Sequence, residues 1–312
     1  MPSWLDYEGV GSEIVLSCRV RLARNLAGHR FPAAATTAEN LAVMNEVLAA
    51  AEGYETFRSL NKVERDHYVA TRLLSPDFPW TQPGRAALFD VTRTRAILVN
   101  EEDHLRLQVV TGGATWETGL EMAEAALARL GEHLTFARTE GWGHLAASVF
   151  NAGEGRRISA MLHLIGLATA ERIAEVLPAL GSGRIVFRGL FGETSRAVGA
   201  FAQVSTIAGN TDEFRGALHY LLEQEARARQ AMPLEELTRR CGLAVDHLRT
   251  AGAMTMPDAL RSLGLLRWGV CAGLLPQFRL RQIDYALCVA EYRAGNDPAI
   301  RAENLRHDLN LA

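Results

Sequence analysis

Between Glu13 and Leu22 the chain alternates, with Ile14, Leu16, Cys18, Val20 and Leu22 on one side and Ser17, Arg19 and Arg21 on the other. A period of two belongs to a β-strand, so this stretch predicts a half-buried strand carrying a polar stripe. Ala86–Asp90, Arg95–Asn100 and Leu105–Val110 are short apolar runs around polar turns and predict three more strands. Ile158–Leu164, Arg184–Arg188 and Phe201–Ile207 predict others. Residues 38–50 and 117–131 place Ala, Leu and Met at helical spacing. Thr211–Arg229 gathers Phe214, Leu218, Leu221 and Leu222 on one side, and Asn210 with Glu213 predicts a capping box at its start. Many strands without a regular strand–helix–strand rhythm predict an α+β fold, a mostly antiparallel sheet flanked by helices. Beyond Gln230 the strand signal stops and Leu-, Ala- and Arg-rich helical segments continue to the end. The expected division is residues 1–229 and a small helical C-terminal domain, 230–312.

A chain of 312 residues suits one large domain, or a large and a small one, and 48% hydrophobic residues supply a sizeable core. The formal net charge of −3 argues against a nucleic-acid partner. No stretch reaches the roughly 18 apolar residues of a membrane helix. Met1–Glu13 carries Asp6, Glu8 and Glu13 without a cation, unlike a secretory or transit segment, so a cytoplasmic location is expected. Cys18, Cys241, Cys271 and Cys288 form no CxxC pair and predict buried free thiols. Lysine occurs once, at Lys62. Genomic base composition accounts for that bias, yet it has a chemical consequence. No GxxxxGK[ST] loop exists, so a phosphate site here must be built from arginine, Mg²⁺ and backbone N–H groups.

Four segments carry candidate chemistry. In Ser17–Asn25 (S-C-R-V-R-L-A-R-N) two arginines at i and i+2 point the same way and can clamp a polyanion, although a solvated strand face reads alike. Asn100–Arg106 (N-E-E-D-H-L-R) sets three acids between two strands. That is an ordinary solvated turn unless a cation sits there, and Arg106 falls close by. Ser148–Arg157 (S-V-F-N-A-G-E-G-R-R) has glycines that permit close backbone approach, in a phosphate loop or a plain turn. Arg188–Ser195 (R-G-L-F-G-E-T-S) is, taken alone, only a loop.

Together, in this order and spacing, these segments resemble the ATP:guanido phosphotransferases, whose hallmarks are S-x-R-V-R, N-E-E-D-H-L-R, C-P-[ST]-N-x-G-T-G-x-R and R-G-x-x-G-[EV]. The N-E-E-D-H-L-R match is identical. The resemblance covers roughly residues 12–225 and continues more weakly beyond. Within the family, Ile14–Asn25, Leu74-Ser75-Pro76, Ser159–Leu164, Arg188–Glu193 and the helical tail are most similar to the bacterial branch that phosphorylates arginine in proteins. Only 16 residues precede Ser17, where kinases of small guanidines carry a helical domain. The resemblance implies ATP and Mg²⁺ as cofactors and arginine-bearing proteins as partners, and leaves room for a homodimer. It implies that Arg19, Arg21, Arg106, Arg157 and Arg188 hold the nucleotide phosphates, with Ser17 and Arg72 on the nucleotide side. It implies Glu102 as the catalytic carboxylate, Glu193 as a second carboxylate on the guanidinium, and no protein ligand to a metal.

Three positions depart from the family pattern. Ser148 and Val149 replace Cys-Pro, removing a thiolate from beside the guanidinium while keeping a hydroxyl at the catalytic position. Arg72 replaces a histidine. The family's phosphoarginine-binding R-D-x-x-R-A survives only as Asn296-Asp297-Pro298-Ala299-Ile300-Arg301-Ala302. A kinase of free arginine and a catalytically weak phosphoarginine-binding protein therefore stand as alternatives. The expected mechanism is direct in-line transfer. Two carboxylates align the planar guanidinium, one nitrogen facing the γ-phosphate, and arginines neutralise the charge that spreads over the transferring oxygens.

Overall fold

The computed structural model describes residues 3–6, 9–180, 184–189, 198–206 and 210–311. Its strands are β1 (Val15–Arg24), β2 (Tyr54–Phe57), β3 (Ala86–Asp90), β4 (Arg95–Val99), β5 (Leu105–Gly112), β6 (Arg138–Thr139), β7 (Gly143–His144), β8 (Arg156–His163), β9 (Ile185–Gly189) and β10 (Phe201–Thr206). Its helices are α1 (Thr37–Ala50), α2 (Lys62–Ala70), α3 (Trp116–Gly131), α4 (Ile165–Thr169), α5 (Ile173–Val176), α6 (Thr211–Gln230), α7 (Leu234–Thr250), α8 (Met256–Cys271), α9 (Leu280–Ala294) and α10 (Pro298–Asp308). Eight strands form one antiparallel sheet in the order β2-β3-β4-β5-β1-β8-β10-β9, and β6 and β7 form a separate hairpin. The α+β reading and the antiparallel sheet hold.

The sheet's two faces follow from its alternation. On one, Cys18, Val20 and Leu22 of β1 lie across from Ala160 and Ile158 of β8 and from Val109 and Leu107 of β5. This face buries itself against Val43 and Val47 of α1, Ala123 and Leu130 of α3, and Phe214, Leu218 and Leu221 of α6. Trp116 meets Phe214 edge-on with ring centroids 5.5 Å apart. The first strand begins at Val15, after a turn at Gly11 that takes the amides of Ile14 and Val15, and a register shift follows between Val15 and Ser17.

Among the described residues, the opposite face is covered at its two sides. Over β3 and β4, Phe89 and Leu98 pack with Tyr68, Leu73 and Phe78 and with Trp4 of the N-terminal segment. Over β8 and β10, Met161 and Phe201 join Leu248, Leu263, Leu266, Ile283 and Leu305 of the C-terminal helices. Between these two covers lies the stretch of β1, β5 and β8 that presents arginine. The C-terminal helices are also tied down by ion pairing. Arg267, fully buried, donates to Asp284 at 2.7 Å and to the carbonyl of Glu13 at 2.7 Å.

Two local readings change. Asn210 accepts the amides of Asp212 and Glu213 at 3.1 Å as expected, but Glu213 extends to Arg184 at 3.3 Å, so half of the capping box forms. All four cysteines are free, yet only Cys18 and Cys241 are buried, while Cys271 and Cys288 are half-buried.

Candidate active site

The register of the sheet decides which expected residues meet. Arg21 of β1 lies opposite Arg157 of β8 on one side and Gln108 of β5 on the other. Arg106 pairs with Ala23, one residue pair along from Arg21 on the same face. Arg19 faces Val110 and Ser159, Ser17 faces Met161, and Met161 faces Gln203, which in turn lies opposite Arg188 of β9. Arg19, Arg21, Arg106, Arg157 and Arg188 thus share one face of four strands.

This face is not a solvated stripe. The Nε atoms of Arg19, Arg21, Arg106 and Arg157 are buried without a hydrogen-bond partner. Burial, followed by repulsion from Arg21, Arg72, Arg106 and Arg157, holds Arg19 well below the usual guanidinium range. Burial, then Arg157, Arg106 and Arg72, pulls Arg21 down to about 9. Burial also lowers Arg157, with Arg188 adding to it. Cations that repel one another and leave buried Nε donors unmet are an unfinished electrostatic arrangement, which a polyanion completes. Arg157 donates one bond, to the Ser205 hydroxyl at 3.2 Å.

The turn after β4 supplies the acids. Asn100 adopts a positive φ of 54°, and its backbone N–H closes the turn by donating to the His104 carbonyl at 2.9 Å. Glu101 pairs with Arg106, and burial raises its pKa against that cation. Glu102 is exposed and points where Arg21, Arg106, Arg157 and Asn151 line the same cavity of about 90 Å³. Asp103 and His104, which sequence reasoning passed over, are structural. Asp103 Oδ1 accepts from Asn25 Nδ2 at 2.6 Å and from the Ala147 amide at 2.7 Å. Asn25 returns its Oδ1 to the His104 amide at 2.9 Å. His104 Nδ1 accepts the Leu26 amide at 3.0 Å, which leaves the proton on Nε2, 2.8 Å from the Arg30 carbonyl. These bonds join the acidic turn, the end of β1 and the 145–148 segment into one unit.

That unit places Ser148 one residue beyond the Ala147 anchor, half-buried, with its carbonyl accepting the Asn151 amide at 2.9 Å. Ser148 does not line the arginine–glutamate cavity; Asn151 does. The glycine loop follows. Gly155 has φ 60°, and a Cβ there would lie 2.6 Å from the Ala23 carbonyl and 2.3 Å from Arg24 Nη1, so only glycine lets β8 start against β1. Arg24 pins this loop through the carbonyls of Glu154 at 3.0 Å and Ala23 at 2.7 Å.

Arg72, also at positive φ (65°), reaches across the face to Ser17 Oγ at 2.6 Å and Gln203 Oε1 at 3.0 Å. Gln108, opposite Arg21, holds the Arg72–Leu73 turn by a 2.5 Å bond to the Leu73 carbonyl. Glu193 lies outside the described residues. In the C-terminal remnant motif, Asp297 caps α10 through the amides of Ala299 and Ile300, and Arg301 is buried on the carbonyls of Ala290, Met254 and Gly295. Among the described residues no three His, Cys, Asp or Glu side chains are arranged to hold a metal ion. Among them too, no helix is long and apolar enough to cross a membrane.

Comparison with known proteins agrees with this geometry. Residues 37–212 match the model of the ATP:guanido phosphotransferase C-terminal catalytic domain, a stretch that holds Arg72, Glu102, Arg106, Ser148, Arg157 and Arg188 and begins after Ser17, Arg19 and Arg21. The protein-arginine kinase of Halothermothrix orenii is 32% identical over 293 residues, 87% of this chain and 83% of that one. That of Geobacillus stearothermophilus is 30% identical over 328 residues, 99% of this chain and 83% of that one. Among solved structures, a lombricine kinase shares the fold at a TM-score of 0.60 and 20% identity, covering 75% of this chain and 73% of that one. The duplicated taurocyamine kinase of Schistosoma mansoni does so at 0.61 and 18%, covering 94% of this chain and 49% of that one. This chain belongs to the ATP:guanido phosphotransferase family and is a phosphotransferase that uses ATP.

Proposed function

We propose that this phosphotransferase is a protein-arginine kinase, moving the γ-phosphate of ATP to arginine side chains in other proteins. The observation that carries the reading is the meeting of an exposed Glu102 with Arg21, Arg106 and Arg157 in one cavity. One side of that cavity suits a cationic guanidinium and the other suits phosphate. The names of the relatives, protein-arginine kinases at about a third identity over most of the chain, support the choice of protein over small guanidine.

The residues divide the work as follows. Arg19, Arg21, Arg106, Arg157 and Arg188 hold the phosphates, with their charge set in place before the reaction begins. Ser17 and Arg72 belong to the nucleotide side. Mg²⁺ arrives with the nucleotide and neutralises phosphate charge when bound. A guanidinium remains protonated at neutral pH and is a poor nucleophile. Glu102 aligns it and takes its proton late, as the attacking nitrogen bonds to phosphorus and the bond from phosphorus to the bridging oxygen breaks, releasing ADP; Glu193 is the second carboxylate. Ser148 keeps a hydroxyl where the family has a thiolate, at the edge of the site rather than in the cavity that Asn151 lines. Residues 1–229 form the catalytic unit, and the helical unit 230–312 packs over β8 and β10 at one side of the arginine face. A cytoplasmic setting suits such an enzyme. The test compares the γ-phosphate transferred to a denatured arginine-containing protein with that transferred to free arginine. Preferential labelling of protein supports the reading. Rapid turnover of free arginine with unlabelled protein overturns it.

A further inference from the structure

A second cavity, about 560 Å³, opens on the other side of the acidic turn and shares Glu101 and Glu102 with the arginine face. Its volume is that of a small-ligand site. Pro32, Pro79 and Pro83 give it stiff walls, and Arg85 lies in it. Arg85 is only 7% exposed. Its Nη2 donates to Gln82 Oε1 at 2.9 Å, while its Nε and Nη1 are buried without a partner. Among the described residues no carboxylate pairs with it. A buried guanidinium has five N–H donors to satisfy, and leaving them unmet is costly unless an acceptor arrives. Burial alone lowers its pKa, in keeping with a cation that lacks a counter-charge.

The position of Arg85 relative to the acids is fixed. Ala86, its neighbour, pairs with Val99 across β3 and β4. Asn100, next to Glu101, donates its side-chain amide to the carbonyls of Gly84 at 2.7 Å and Asn40 at 2.8 Å. The residues flanking Arg85 and those flanking Glu101 are therefore hydrogen-bonded to each other, and Arg85 and Glu102 line one groove in a fixed relation. A substrate whose guanidinium reaches Glu102 through this groove brings its own backbone past Arg85.

We propose that Arg85 is a second substrate anchor, donating to the main-chain carbonyl oxygen of the peptide that carries the target arginine. The inference rests on the protein-arginine reading and assigns the groove to the substrate backbone. Arg85 acts at the substrate's far end, away from the transferring phosphate, and sets KM rather than kcat.

Agmatine, N-acetyl-arginine amide and N-acetyl-arginine separate the contributions: agmatine has no carbonyl, the amide has two amide carbonyls, and N-acetyl-arginine has one beside a free carboxylate. Wild-type protein should show a lower KM for the amide than for agmatine. Arg85→Ala should raise the KM of the amide about 10- to 100-fold and leave agmatine unchanged. Arg85→Gln, which keeps polarity in the groove, is made alongside, so that a folding defect in one variant is recognised by its melting temperature. Equal KM for agmatine and the amide in wild-type protein, or an equal effect of the variants on both, overturns the proposal. So does a larger effect on N-acetyl-arginine than on the amide, which would assign Arg85 to a free carboxylate. Failure of the underlying reading is a separate result: wild-type protein that phosphorylates these small guanidines but no protein.

Discussion

Asn25 Nδ2 donates to Asp103 Oδ1 at 2.6 Å across 78 positions of sequence, and through this bond the last residue of the arginine strand region holds the acidic turn. Asn25 is fully buried, and it also accepts the His104 amide and donates to the Leu145 carbonyl at 3.2 Å. Asn25→Ala removes these three bonds and strands their partners, which should cost about 3 kcal/mol of stability. Glu102 would lose its alignment with the arginines at the same time. Chemical denaturation and kcat measured on the same preparation should fall together; unchanged kcat in a destabilised variant would make the tie purely structural.

The arginine face predicts a conflict between stability and function. Arg21 is half-buried, its Nε is buried and unpaired, and it is repelled by Arg157, Arg106 and Arg72. Arg21→Met should raise the stability of the free protein by about 1 kcal/mol. It should also abolish the rise in melting temperature that ATP gives the wild type. Thermal scans with and without nucleotide check both halves.

Arg106→Ala and Arg157→Ala should each lower kcat by about 10³-fold if each donates to the transition state. Arg106→Ala also frees Glu101 from its ion pair. Near-normal rates in both variants at saturating nucleotide would remove the clamp from the mechanism.

Acid sensitivity follows from two neutral histidines. His163 is fully buried, stacked on Phe201 at 4.6 Å, and burial followed by repulsion from Arg229 and Arg267 holds it well below its ordinary value of 6.5. Burial lowers His104 as well, and its two ring bonds fix it as neutral. Below the unfolded value the unfolded chain takes up protons that the native state refuses, so stability is full above it and is lost as pH falls. The slope is up to about 1.4 kcal/mol per pH unit for each histidine. Urea denaturation between about pH 7.5 and about pH 5 should show this loss, and His163→Gln should flatten it.

What the sequence displayed was whatever repeats at short range. Arg19 and Arg21 read as one stripe because a strand alternates, and their burial pattern bears out the period. The pairing of Arg106 with an acid was legible because Glu101 lies five residues away on the same turn. Asp103, His104 and Asn25 were not legible as a unit, since their partners sit on segments far apart in the chain. Arg85 gave no signal either, because its meaning lies in donors left unpaired by a groove that only the fold creates. The strand Tyr54–Phe57 and the helix Lys62–Ala70 were missed because they are short and mostly polar. That the C-terminal helices would cover Met161 and Phe201 was likewise beyond any local pattern.

The central claim is transfer of phosphate to arginine within a protein at a site led by Glu102. Its most direct measurement is mass-spectrometric mapping of casein incubated with MgATP and either the wild-type chain or Glu102→Gln. Wild-type protein should place acid-labile, base-stable phosphate on arginine residues, and Glu102→Gln should place none while still gaining thermal stability from ATP. Casein without phosphoarginine after incubation with an active wild-type preparation that phosphorylates free arginine, or equal labelling by Glu102→Gln, would contradict the account.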